Sequence, residues 1–174
     1  WYDAQDVEGF DIHAQIFDGT GTLIGDELIL NSTIENNQQA PELVATGDGG
    51  FAAVWQSYGS TGDLFDIYLK IFDANGTAVS DEILVNTSTE QQQTKPSIAI
   101  AGDGTFVVAW QSDHLGASQI MYQSIASDGT LIGDNMILSQ NDAGDLVNGN
   151  EVALSTLSNG AIAAAWDQAA NIYA

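Results

Sequence analysis

The 174-residue chain contains no cysteine, no arginine and only two lysines. Each shortage excludes something. Without cysteine there is neither a disulfide framework nor a thiolate metal site. Lys70 and Lys95 are the whole Lys/Arg complement, and nucleic-acid affinity rests on those residue types, so no nucleic-acid partner is expected. An anionic membrane surface is disfavoured for the same reason. Guanidinium forks for sialic acid or phosphate are missing as well. No apolar run approaches the roughly 18 to 20 residues of a spanning helix, so no membrane insertion is expected. The chain opens on Trp1 without an initiator methionine or a signal peptide. That suggests a processed or excised piece of something larger.

Acidic and apolar residues are what the chain has in quantity. Twenty-four Asp and Glu set the formal net charge at −22, while 44% of residues are hydrophobic. That apolar share is too high for a disordered acidic tail, so a packed core is expected. The charge suits a secreted or cell-surface protein in a medium whose cations screen carboxylates.

Tryptophan gives a period. Trp1, Trp55, Trp110 and Trp166 recur at intervals of 54, 55 and 56 residues. Their surroundings repeat too: Gly47-Asp-Gly-Gly-Phe-Ala-Ala-Val-Trp-Gln-Ser57 aligns with Gly102-Asp-Gly-Thr-Phe-Val-Val-Ala-Trp-Gln-Ser112. A second block, Asp11-Ile-His-Ala-Gln-Ile-Phe-Asp18, matches Asp66-Ile-Tyr-Leu-Lys-Ile-Phe-Asp73. The whole chain, 1–174, therefore reads as one repeat domain with units near 1–40, 41–95, 96–150 and a partial 151–174. In the central copy four strands are expected. Strand a covers 42–46 after Pro41. Strand b covers 51–56 and is apolar on both faces, as a buried strand is. Strand c covers 65–72, and strand d covers 81–85. Gly-rich and Asn-Gly turns separate them. No segment has a helical apolar period.

Four antiparallel strands and one Trp per unit of about 55 residues resemble a β-propeller blade. The pattern also resembles repeats of large secreted bacterial proteins of RTX or adhesin type, although the RTX calcium nonapeptide GGxGxDxUx is absent. The fold class implied is all-β, with tandem propeller-type blades incomplete at both ends. Three repeats form a small ring. The chain could be a portion of a longer propeller, close a larger ring with a second copy, or build an open solenoid. Open strand edges favour self-association by strand sharing.

Candidate site residues follow from residue type. Trp55, Trp110 and Trp166 are read as blade-to-blade packing residues, with sugar stacking as the alternative. Tyr58, Tyr68 and Tyr122 are the further stacking candidates for a carbohydrate ligand. Asp48 and Asp103 sit in Gly-Asp-Gly turns. Thr46-Gly-Asp48-Gly-Gly50 resembles the Asp-box hairpin of sialidase-like propellers, where the motif is structural. Asp3, Asp6, Asp11, Asp63 and Asp66 are the metal candidates, with Ca²⁺ the cofactor such oxygens would take. Asp142 and Asp145 in a later loop are further acids of that kind. Asn31, Asn75 and Asn86 carry the Asn-x-Ser/Thr glycosylation signal. His13 and His114 occupy non-equivalent repeat positions, and no Gly-x-Ser-x-Gly elbow exists, so no enzyme is expected. The function expected is a non-enzymatic extracellular structural or adhesive module, assembling end to end into a filament or surface layer. A calcium-dependent, lectin-like carbohydrate-binding propeller is the alternative.

Overall fold

The computed structural model describes residues 2–6, 9–59, 64–113, 118–140 and 147–168. Strands β1 (Tyr2–Asp6), β2 (Gly9–Phe17) and β3 (Leu23–Ile29) form a three-stranded antiparallel sheet. Strands β4 (Gln38–Ala45), β5 (Phe51–Tyr58), β6 (Phe65–Phe72) and β7 (Ile83–Leu84) form a complete four-stranded blade in sequence order. A second complete blade contains β8 (Gln93–Ile100), β9 (Phe106–Ser112), β10 (Gln119–Ile125) and β11 (Leu131–Ile137). The last sheet pairs β12 (Gly149–Thr156) with β13 (Ile162–Gln168). Among the described residues there is no helix. The protein is thus an all-β chain of propeller-type blades, whole in the middle and incomplete at both ends.

The first strands of successive units, β4, β8 and β12, touch one another and form the inner edge. Strand b is apolar on both faces because a neighbouring blade covers each one. Ala52, Ala53, Val54 and Trp55 are all at most 1% exposed. Ala52 and Val54 pack with Phe106, Val108 and Trp110 of the next blade. Ala53 and Trp55 pack with Ile12 and Leu30 of the previous one. Each buried Trp therefore faces the preceding blade, and its Nε1 donates to a glutamine on its own inner strand. Trp55 reaches Gln38 at 3.2 Å, and Trp110 reaches Gln93 at 2.8 Å.

Polar braces cross the seams. Lys70 Nζ donates to the Leu30 carbonyl at 3.1 Å and to Ser32 Oγ at 2.7 Å, while Ser32 N donates to Glu82. One repeat later the same places hold neutral groups. Gln123 Oε1 accepts from Asn135 Nδ2 at 2.6 Å, which also donates to the Val85 carbonyl at 3.2 Å, and Thr87 N donates to Asn135 Oδ1 at 2.6 Å. A Lys/Glu pair has become a Gln/Asn pair at matching positions.

The strands differ from the sequence expectation at one informative place. The inner strand of the central blade begins at Gln38, so Pro41 lies inside it rather than before it. Proline cannot donate to the ladder and is tolerated within sheets at bulges. The register of β4 against β5 shifts between Gln39 and Glu42, around Pro41.

The turns are built from aspartates. Asp73 Oδ1 accepts from Asn75 N at 2.9 Å and Thr77 N at 2.8 Å. Asp48 accepts from the Thr46 hydroxyl and from Gly50 N. Bonds of this kind, chiefly from Thr20, Thr46, Thr77, Thr105 and Thr130, hold Asp18, Asp48, Asp73, Asp103 and Asp128 below the ordinary carboxylate range. A carboxyl depressed in the folded state stabilises it above the unfolded value near pH 4, and that contribution fades as pH falls through the lower folded value. The unfolding midpoint in urea is therefore expected to decline progressively below about pH 4. Asp73→Asn should flatten part of that acid limb. An unchanged acid limb in that variant would show that the turn does not contribute.

Candidate functional site

The inner strands share a strained feature. Ala40, Lys95 and Glu151 stand one repeat apart and adopt φ of 54°, 54° and 44°. The left-handed region costs an L-residue roughly 1–2 kcal/mol. Each strained residue lies in or beside a register shift: Gln39/Glu42, Thr94/Ser97 and Asn150/Val152. Three repeats thus carry one bulge, and such strain persists only where the surroundings over-determine it. At the central bulge, Lys95 N donates to Gln56 Oε1 of the preceding blade at 2.9 Å.

The bulges meet at a cleft of about 350 Å³ lined by Ala40, Pro41, Glu42, Lys95, Pro96, Glu151 and Val152. That volume falls in the range of about 300–1,000 Å³ typical of small-molecule sites. Glu151 and Val152 also line a second groove along β12 and β13, of about 430 Å³. Lys95 Nζ lies 3.0 Å from Glu151 Oε1, with both side chains well exposed. An exposed pair of this type contributes only about 0–1 kcal/mol, so a ligand can open it cheaply. Proline and valine supply rigid apolar walls, and the two glutamates and the lysine supply acceptors and donors.

The seam between the last two units is less well matched. Gly149 occupies the position of Gln38 and Gln93, so among the described residues Trp166 Nε1 finds no acceptor and is buried unpaired. A Cβ at Gly149 would sit 2.7 Å from Ile120 Cγ1, so no side chain fits there. Gln111, the counterpart of Gln56, likewise keeps a buried Oε1 without a partner.

The residues singled out from the sequence fall elsewhere. Asp11 and Asp66 are 3% and 0% exposed and each accepts a 2.6 Å bond from an asparagine, Asn31 or Asn86. They act as internal hydrogen-bond acceptors, closed off from a solvent cation. Asp3 lies opposite Asp11 in β1; its side chain and that of Asp6 lie outside the described residues, as do Asp63, Asp142, Asp145 and His114. Among the described residues no three metal-ligating side chains gather. The tyrosines do not converge. Tyr58 packs edge-on against Phe65, Tyr68 lies opposite Trp55, and Tyr122 stands at the repeat position of Leu69, on the other face of its strand. Asn31 and Asn86 are 5% and 1% exposed with their amides engaged, so a glycan on either is incompatible with the fold. Asn75 sits exposed at a turn. His13 pairs with Glu27 at 2.9 Å. Lys70 and Lys95, isolated in sequence, both find partners across blade seams. The bulged cleft itself escaped the sequence reading; Pro41 and Pro96, one repeat apart inside inner strands, were its available signal.

Four-stranded blades with touching, bulged inner strands define a β-propeller-type protein. Solved structures put that fold in a particular setting. The chain is similar to a thermostable family-43 glycoside hydrolase, with a TM-score of 0.54 and 11% identity over 91% of this chain and 62% of that one. It is also similar to an alpha-L-arabinofuranosidase from Lactobacillus brevis, with a TM-score of 0.54 and 9% identity over 99% of this chain and 66% of that one. The chain thus spans less than two thirds of either enzyme. No family model and no curated protein matches it. Identity this low establishes the fold alone, and that fold is one glycoside hydrolases use. The expectation of a structural or adhesive filament module is overturned here. The blade repeat that suggested a scaffold is equally the architecture of sugar-processing enzymes, so it argues for no scaffold.

Proposed function

We propose that the chain binds carbohydrate, as a non-catalytic module, in the cleft formed by its three bulged inner strands. The observation that carries this reading is the recurrence of the left-handed bulge at Ala40, Lys95 and Glu151 around one cleft. The sugar-acting neighbours support the ligand class. Binding is favoured over cleavage by the state of the acids. Glycoside hydrolysis pairs one carboxylate with an acid kept protonated by apolar surroundings. Glu42 and Glu151 both stand in solvent, and Glu151 is engaged by Lys95.

Isothermal titration with soluble arabino-, galacto- and gluco-oligosaccharides tests the reading. At least one class is expected to bind, and Glu151→Gln is expected to weaken it about tenfold, the equivalent of about 1.4 kcal/mol. Binding by none, or binding indifferent to Glu151→Gln, would remove the proposal. Release of reducing ends on incubation with the bound oligosaccharide would overturn its non-catalytic part.

A further inference from the structure

We infer that the cleft selects amino sugars, sugars bearing a free ammonium group, and that Glu42 is the residue that receives the ammonium. The inference rests on the carbohydrate reading and narrows its ligand class. The cleft already shows how it treats an ammonium ion, because Lys95 Nζ lies 3.0 Å from Glu151 Oε1 inside it. Glu42 lines the same cleft. Among the described residues the ion pairs are His13–Glu27 and Lys95–Glu151, so Glu42 has no cationic partner there. One lysine, already neutralised, faces two glutamates, leaving one negative charge unmatched. No arginine exists in the chain to invert that balance, and the surrounding field of a −22 protein has the same sign. An acidic sugar would meet repulsion, a neutral sugar would leave Glu42 unmatched, and an amino sugar supplies the missing charge. A charge-assisted hydrogen bond from ammonium to carboxylate is about twice as strong as a neutral one. Pro41, next in sequence to Glu42 and on the same cleft wall, offers the ring an apolar surface.

The test compares glucosamine disaccharide, its N-acetylated form and a digalacturonide by isothermal titration at two salt concentrations. The free amine is expected to bind up to about fivefold more tightly than the N-acetylated form, the most an exposed charge pair supports, and the digalacturonide not at all. Salt should narrow the gap, because screening weakens exposed charge pairs. Glu42→Gln should bring the amine's affinity down to that of the N-acetylated form in the same variant, while Glu90→Gln, at an exposed acid away from the cleft, should change nothing. Equal affinity for amine and N-acetyl forms, an amine preference that survives Glu42→Gln, or equal losses from Glu42→Gln and Glu90→Gln would each overturn the assignment. Cleft binding of N-acetylated or neutral sugars would then still uphold the carbohydrate reading. Failure of every sugar would remove both.

Discussion

Asn86→Ala is expected to destabilise the protein by about 3–4 kcal/mol in urea unfolding. Asn86 is 1% exposed and makes three bonds. Its Oδ1 accepts from Ile67 N at 2.7 Å, and its Nδ2 donates to Asp66 Oδ1 at 2.6 Å and to the Ser88 carbonyl at 2.9 Å. Alanine strands a buried amide and a part-buried carbonyl and takes a donor from a carboxylate that is 0% exposed. Each buried group left unsatisfied costs about 1–3 kcal/mol, and a charged one costs more. Asn31 makes the same three bonds to Ile12, Asp11 and Thr33, so Asn31→Ala should act in the same direction. The third copy contains its own remedy. There Ser139 Oγ accepts from Ile120 N at 3.0 Å and donates to Gln119 Oε1 at 3.3 Å, without any charge. Transplanting that solution, Asp66→Gln with Asn86→Ser, should recover a good part of the loss relative to Asn86→Ala. A loss below about 1 kcal/mol for Asn86→Ala would mean that water replaces the amide and that the bracket contributes little.

Trp110→Ala is expected to cost about 3–5 kcal/mol, the range for removing a large buried aromatic. Trp110 is 1% exposed and packs against the preceding blade. Alanine also leaves Gln93 Oε1 without its donor. The sharper comparison uses phenylalanine. Trp110→Phe still strands Gln93, so a loss of about 1–3 kcal/mol is expected. Trp166→Phe removes an Nε1 that is already buried and unpaired, so its effect should lie within about 0.5 kcal/mol of zero or be stabilising. Denaturant unfolding of the two variants side by side decides the matter. Equal losses would show that the indole packs the same way in both units and that the Gln acceptor is unimportant.

Much of the fold was legible because a repeat averages out local ambiguity. Strand c was expected at 65–72 and is β6, Phe65–Phe72. Strand b reads as apolar on both faces and is buried on both. Strand d was less legible: expected at 81–85, its regular ladder is confined to Ile83–Leu84, with one further bond from Val85 N to the Ile67 carbonyl at 2.8 Å. The partners of Asp11 and Asp66 were hidden for a different reason. Asn31 and Asn86 stand 20 residues away from them, on the far side of a hairpin, and carry a sequon that reads equally well as a surface signal. The cleft was hidden because its members come from three separate strands and belong together only once those strands touch. The seam braces could have been found within the chain: Lys70 and Glu82 become Gln123 and Asn135 together, one repeat on.

Composition and period by themselves determined the all-β class, the blade length and the turn positions, because these depend on residue type and local spacing. Tertiary structure alone decided which copies of a repeated residue are inside. Phe17, Phe72 and Ile125 share one repeat position, yet Phe17 is 56% exposed while Phe72 and Ile125 are 4% and 0% exposed. What differs is whether a preceding blade lies over them, and burial is a property of neighbours. The same holds for charge. The −22 total was plain from the sequence, but among the described residues the structure sets buried acceptors such as Asp66 apart from turn acceptors such as Asp73, from the seam acceptor Glu82 and from Glu42 and Glu151 at a cleft, since a carboxylate's role depends on which donors lie within reach.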